Sequence, residues 1–405
     1  MHREPREACS TAMHASSYPT SSPEYWSGPW GVPPWTIDFH PRKQSLPEAA
    51  DFVIVGGGFT GLASAAWLRL LAPDKSVVVL EAEHIGSGAS GRTGGQFLGE
   101  TASGDQEGLG DVIAGVQSIF AKLSDACGFS VANRASLALN GAWEIARKGD
   151  SKKSPIQWND SGTLRVVGEV PGGTIDPGGL VAALAQSAEI LGASIFEDHY
   201  VNRIEWTQPI CVELVNGRTV RTKKLLAATN ALSLAMAGYG DDAYPKLTLA
   251  VATAPIADES LNAIGLAQRK PFYTVDFPYL WGRVCTDNSI IWGAGLVDPP
   301  PSRDLRQVDV SGSESTRLFA SMEKRVRGLH PALASVPFTH YWGGPILFRE
   351  GWLPPVLDWH PASRDAIVLG AYTGHGVALS SYLGAWAAEA LLGRRELPRW
   401  SKLRP

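Results

Sequence analysis

Three glycines in the order Gly56-x-Gly58-x-x-Gly61, answered 20 residues later by Glu81, are the residues of this chain most suited to chemistry. Their types and spacing fit recognition of a dinucleotide. Gly56 allows a tight turn, Gly58 lets backbone approach a pyrophosphate, and Gly61 lets the next helix lie close on a sheet. Phe59 and Thr60 open that helix, whose unpaired N–H groups and positive dipole end favour phosphate. Glu81, with Ala82 beside it, stands where an acid accepts hydrogen bonds from ribose hydroxyls.

A second glycine-rich run, Gly86 to Gln96, follows. It is too rich in glycine for a helix or central strand and reads as a loop. Gly88, Ala89, Gly94 and Gly95 leave backbone donors open, while Ser87, Ser90, Arg92, Thr93 and Gln96 add side-chain donors, an inventory suited to a phosphate-ribityl chain. A third glycine turn, Gly374-His375-Gly376-Val377-Ala378, joins a late strand to a helix rich in small residues, and its helix start again offers positive potential. His375 there is a candidate for supplying charge or a hydrogen bond. Tyr279, Trp281 and Arg283 alternate along one predicted strand and so share a face, on which an aromatic wall would hold an amine cation for about 0.5–2 kcal/mol. Tyr279, Arg283 and His375 are the catalytic candidates, and Trp281, Trp342 and Phe348 the substrate contacts.

The elements that place these residues are legible in outline. Asp51–Val55 and Ser76–Leu80 read as buried strands, with an apolar helix over Leu62–Leu71 between them. Pro177–Leu191 reads as a helix, and Ile210–Leu214 and Thr219–Leu226 as strands joined at Asn216-Gly217, a type I′ hairpin signal. The second of these ends in Ala228-Thr229-Asn230, a strand tip where Thr229 and Asn230 allow a ligand to approach. Asp105–Phe129 looks helical, and strands are expected at Leu247–Ala254, Leu280–Cys285, Ser289–Trp292 and Ala366–Ala371.

Composition sets the outer bounds. At 405 residues, 44% hydrophobic and 19% charged, the chain reads as a soluble globular protein of two to three domains. With 36 Lys and Arg against 40 Asp and Glu and no basic stripe, nothing recommends a nucleic-acid partner. No apolar run suggests a signal peptide or membrane span, so a cytoplasmic location is expected. Cys9, Cys127, Cys211 and Cys285 have no metal or redox spacing and read as reduced thiols, and no metal site is expected. The aromatics Tyr25-Trp26 and Trp30 to Trp35 are expected to pack an N-terminal arm onto the body.

The runs Val53-Ile54-Val55-Gly56-Gly57-Gly58-Phe59-Thr60-Gly61-Leu62, Gly88 to Gln96, Ala228 to Ala231 and Gly374 to Val377 resemble, in this order, the FAD-dependent D-amino-acid oxidase superfamily, and most closely its gamma-glutamylputrescine oxidase branch. The resemblance implies an α/β fold, with a discontinuous Rossmann-like FAD-binding domain and an inserted α+β substrate domain built on a mainly antiparallel sheet. The expected division is a partly disordered arm over 1–45, the FAD domain over 46–104, 160–235 and 339–398, and the substrate domain over 105–159 and 236–338. It implies further that Val201 meets adenine through its backbone, and that the turn from Gly374 to Ala378 lies by the flavin pyrimidine edge.

Two departures matter. Related sarcosine oxidases carry a lysine where this chain has Ala378, and they attach flavin through a cysteine that His340–Leu357 lacks. FAD is therefore expected to be non-covalent. A third departure, Phe348-Arg349-Glu350-Gly351, replaces a Thr or Ser common in relatives. The activity implied is oxidation of a C–N bond in a small amine or amino acid by hydride transfer to flavin N5, giving an imine and, with oxygen as acceptor, hydrogen peroxide. The alternatives are a flavin dehydrogenase serving a quinone or carrier protein, and a non-catalytic flavin-binding regulatory protein.

Overall fold

The computed structural model describes residues 29–149, 156–302, 304–351 and 353–403. The expectations for the arm before residue 29, including Tyr25-Trp26 and Cys9, lie outside the described residues.

Short apolar runs with β-branched residues build a first sheet whose spine is parallel. Its strands lie in the order Ser363–Gly370, Thr219–Ala227, Ala49–Val55, Val77–Leu80 and Ser194–Phe196. Val356–His360 adds an antiparallel edge, and the pair Val201–Glu205 and Ile210–Leu214 extends from the start of Thr219–Ala227. Both faces are buried, as a parallel sheet requires. Phe52, Ile54, Val77 and Val79 face a layer of helices, Phe59–Leu71, Val112–Cys127, Pro177–Ile190 and Gly376–Leu391, while the alternate Val53, Val55, Val78 and Leu80 face the opposite core.

The second sheet has eight strands in the order Phe338–Arg349, Ala243–Thr253, Ile290–Val297, Trp281–Val284, Phe272–Thr274, Ala142–Ala146, Thr163–Val170 and Trp158–Asn159. Its neighbours are antiparallel, apart from Phe272–Thr274 beside Ala142–Ala146. The amphipathic helix Ser313–Leu329 covers it through Phe319, Met322, Val326 and Leu329. A two-stranded ribbon, Gln96–Leu98 with Gly172–Thr174, lies between the layers. No helix among the described residues is long and apolar enough to cross a membrane.

Four sequence expectations are corrected. The helix Val112–Cys127, assigned to the substrate layer by the boundary at 105, packs instead against Gly376–Leu391 in the helical layer. Thr163–Val170 and Phe338–Arg349, assigned to the nucleotide layer by the boundaries at 160 and 339, pair within the second sheet. Alternation along a strand tells which faces it has but not which distant strand completes its ladder. The hairpin at Asn216-Gly217 forms, but its turn is not type I′. Leu214 pairs with Arg218 around a three-residue loop in which Gly217 alone takes positive φ, +80°, as in a type I turn closed by a glycine bulge.

Aromatic residues ahead of the first strand do pack onto the body. Trp30 is buried with Nε1 donating to the Leu305 carbonyl, and Trp35 Nε1 donates to the Gly91 carbonyl at 2.7 Å and meets Trp342 edge to face.

The helices Phe59–Leu71 and Gly376–Leu391 touch along a seam of small residues. Ser64 Oγ lies 2.8 Å from the Thr60 carbonyl and 2.9 Å from the Gly384 carbonyl. A Cβ at Gly384 would stand 2.9 Å from the Thr60 carbonyl oxygen and 3.1 Å from Ser64 Oγ. Gly384→Ala is therefore expected to lower stability by about 1–3 kcal/mol through overpacking. Gly328→Ala, where the added carbon meets nothing within 4 Å, should be neutral or stabilising in the same thermal melts.

Candidate functional site

Each glycine of the early turn is required by a specific contact. Gly56 has φ +112° and its Cβ would lie 2.7 Å from the Ala228 carbonyl, so the turn is closed against the neighbouring strand tip. A Cβ at Gly61 would sit 1.9 Å from the Gly56 carbonyl, which leaves helix and turn no room for a side chain. Gly58 makes space for Ser90, whose Oγ accepts from the Phe59 N–H at 2.8 Å and so draws the second glycine loop over the helix start. Glu81 Oε2 accepts from the Gly57 N–H at 2.6 Å and Oε1 from the Glu83 N–H at 3.1 Å. Burial pushes its carboxyl up to about 7, against the lowering effect of those two N–H groups.

Late and early turns are stitched together. Asn230 Oδ1 accepts from the Ala371 N–H at 2.9 Å, and the Ala228 N–H donates to the Val55 carbonyl at 2.9 Å. Tyr372 Oη lies 2.7 Å from Thr60 Oγ1, and burial holds its phenol above the usual range, so it stays protonated. Ala371, Thr373 and Gly374 all take positive φ, +56°, +52° and +87°. Such a conformation costs about 1–3 kcal/mol at a non-glycine residue. It is held by the Asn230 bond and by the Thr373 N–H donating to Leu347 of the second sheet.

These turns open on one cavity of about 750 Å³, the size of a cofactor site. Its wall includes Gly56, Gly58, Phe59, Thr60, Glu81, Ala82, Gly88, Ala89, Ser90, Arg92, Thr93, Gly94, Gln96, Val201, Thr229, Asn230 and Gly374 to Val377. From the second sheet and the loop before it come Tyr279, Trp281, Trp342 and Phe348. The fold thus brings most of the sequence candidates to one wall. Gly61, Gly95, Ala378 and Arg283 are not on the wall. Gly61 and Ala378 serve helix packing instead, Ala378 being fully buried.

Arg283 is buried; its Nε donates to the Gly94 carbonyl and its guanidinium lies 5.8 Å from the Trp35 ring. It fastens the glycine loop rather than facing the cavity. The indole of Trp281 lies against Gly94, where a Cβ would come within 2.1 Å of the ring. Arg92 is buried among carbonyls, donating to Ser87 at 3.0 Å and to Gly31 at 2.8 Å, so its charge ties the arm to the loop. Gln96 Nε2 donates to the Phe272 and Gly282 carbonyls and Trp342 Nε1 to the Arg92 carbonyl, anchoring the loop on the second sheet. Arg349 turns away to pair with Asp242 at 3.0 Å, while Phe348 faces the cavity stacked on Tyr244.

His375 lines the cavity at the start of Gly376–Leu391, with Nδ1 3.3 Å from the Thr373 carbonyl. Burial lowers its pKa, opposed by that carbonyl and by Glu100, so the imidazole is neutral at neutral pH. Cys127, Cys211 and Cys285 are free thiols, and none lines the cavity.

The wall suits FAD on an observation of its own: Thr229 Oγ1 is buried there with no protein partner, beside a glycine cradle and a carboxylate. The family model for FAD-dependent oxidoreductases of the DAO type matches residues 51–390. The chain belongs to that family. It is 27% identical to the gamma-glutamylputrescine oxidoreductase of Escherichia coli, over 85% of this chain and 84% of that protein. It is 26% identical to a probable oxidoreductase, OrdL, of Haemophilus influenzae, over 89% and 86% of the two chains. Among solved structures, glycine oxidase from Geobacillus kaustophilus has the same fold, with a TM-score of 0.65 at 20% identity over 87% of this chain and 96% of that one. The L-amino acid deaminase of Proteus myxofaciens aligns with a TM-score of 0.68 at 14% identity over 89% and 93%.

This FAD-dependent oxidoreductase carries wall residues that sequence reasoning did not select: Trp30, Glu100, Glu144, Tyr244, Tyr273 and Tyr372. Tyr372 lies between the late strand and the third glycine turn, both already singled out, whereas Glu144 and Tyr273 lie on short strands without any motif signal. Glu81→Gln is expected to weaken FAD binding roughly tenfold or more through loss of charged hydrogen bonding. Native binding should tighten as pH rises through about 7, where Glu81 ionises, and the variant should lack that dependence in FAD titrations of apoprotein.

Proposed function

We propose that this flavoenzyme oxidises the C–N bond of an amine or amino acid and holds FAD non-covalently. The observation that carries the reading is continuity: one cavity runs from the glycine cradle into an aromatic chamber of the antiparallel sheet, with the N-terminus of Gly376–Leu391 in its wall. The name of the similar E. coli protein, a gamma-glutamylputrescine oxidoreductase, agrees with it. When bound, FAD would supply the two-electron acceptor: the substrate would lose a hydride from carbon and a proton from nitrogen to give an imine, and oxygen would take up the two electrons with two protons as hydrogen peroxide.

The residues do the positioning. Backbone N–H groups at Gly58 and Thr60 would hold the pyrophosphate in a turn shaped by Gly56 and Gly61, Glu81 the adenosine ribose, and Val201 the adenine. The loop Ala89, Ser90, Thr93, Gly94 and Gln96 lines the ribityl chain and ring, with Arg92, Arg283 and Gly95 maintaining its shape. Thr229 Oγ1 gives a further hydrogen bond. N–H groups at Gly376 and Val377 stabilise negative charge at the pyrimidine edge. Neutral His375 offers a hydrogen bond and no charge, and Trp281, Tyr279 and Phe348 exclude water around the reacting carbon.

Anaerobic addition of a panel of primary and secondary amines is expected to bleach the visible flavin band, with imine formed in proportion. Readmitted oxygen should restore the band and yield peroxide. Failure of every amine to bleach the protein would overturn the reading, and restoration only by a dye would reassign the electrons to a carrier. Denaturation should release intact FAD, measured by mass spectrometry.

A further inference from the structure

The cavity is a ligand site on the grounds above, and its charge distribution discriminates among amines. Beyond the cradle its wall carries two carboxylates held by one phenol. Tyr273 Oη donates to Glu100 Oε1 at 2.7 Å and lies 3.4 Å from Glu144 Oε1. The backbone sets this arrangement, since Tyr273 and Glu144 are partners in the parallel pair of Phe272–Thr274 with Ala142–Ala146, and Glu100 follows the ribbon strand Gln96–Leu98. Burial and then the two acids raise the phenol's pKa, so Tyr273 remains a donor and both carboxylates keep lone pairs free. Glu100 also acts electrostatically on His375 of the late turn, opposing the lowering of its pKa by burial.

Neither acid is neutralised by a lysine or arginine among the described residues. The cations on the cavity wall are engaged elsewhere: Arg92 with carbonyl oxygens, Lys246 with Asp298, and Arg306 with Asp304 and Tyr200. Tyr244 stacked on Phe348 adds aromatic surface to the same chamber. A chamber of this kind repels a substrate carboxylate and compensates the desolvation of an ammonium. The amine to be oxidised must be neutral, so the charge these acids meet belongs to a second amine of the same molecule.

We propose that Glu100 and Glu144 are the specificity residues of the site and select an aliphatic diamine or polyamine, in which one nitrogen is oxidised while another stays cationic. This inference rests on the amine-oxidation reading. The test uses the FAD-loaded protein and three ligands of equal carbon chain: diaminobutane, butylamine and aminobutyrate. Dissociation constants come from the concentration dependence of anaerobic flavin reduction and, independently of turnover, from the perturbation of the bound flavin's absorbance.

Diaminobutane is expected to bind roughly tenfold or more tighter than butylamine, with aminobutyrate weakest. Glu100→Gln and Glu144→Gln should each remove most of that preference, and Glu144→Asp should restore part of it. The unperturbed flavin spectrum of each variant reports a folded holoenzyme. Butylamine or aminobutyrate binding as tightly as diaminobutane, or glutamine variants that keep the preference, would overturn the proposal. If no amine reduces the flavin, amine oxidation fails, yet the absorbance titrations still decide whether the acids select a second cation.

Discussion

Close contact between two helices that begin at opposite ends of the chain is the constraint on which the site depends. Phe59–Leu71 and Gly376–Leu391 approach along Thr60, Ser64 and Gly384, so near that Ser64 Oγ reaches carbonyls of both. Because each helix starts at a glycine turn, fixing their separation fixes the distance between the turns. The bond between Tyr372 Oη and Thr60 Oγ1 repeats that constraint at the cavity itself. A dinucleotide cradle and a flavin-facing helix start are useful together only when their spacing is set this rigidly.

Around the seam, much of the polar chemistry is structural. Arg92, Arg283, Gln96 and Trp342 all look like ligand-binding groups by type, yet each makes a hydrogen bond to a backbone carbonyl. Their common effect is to hold the Gly86–Gln96 loop between the two sheets and the segment ahead of the first strand. A glycine-rich loop is entropically costly to order. Buried donors that would be expensive to leave unpaired are an effective way to order it. The groups left for a ligand are fewer: glycine N–H groups, Glu81, Thr229, His375 and the carboxylates by Tyr273.

Elements with a local signature were legible in the sequence. The strand, glycine turn, helix and acid from Ala49 to Glu81 appear as read, as do the helix at Pro177 and the late strand and helix around Gly374. Assignments that needed a partner were not. Phe338–Arg349 was placed with the nucleotide layer by the boundary at 339, but its eleven pairings with Ala243–Thr253 put it in the second sheet. Arg283 alternates with Trp281 along one strand, yet Trp281 reaches the cavity wall and Arg283 does not, because the Gly94 carbonyl lies in its path. Glu144 and Tyr273 come from separate short strands and meet only through their register.

What the amino-acid order determined alone is the cofactor class. Glycine spacing, strand tips and a ribose acid depend on steric and hydrogen-bonding rules that act within some twenty to thirty residues. Tertiary structure decided everything that requires two distant segments to share a space: which arginines face carbonyls rather than ligand, which strands form the chamber, and where its uncompensated negative charge lies. Burial and register set those outcomes, and neither is a property of any single stretch of chain.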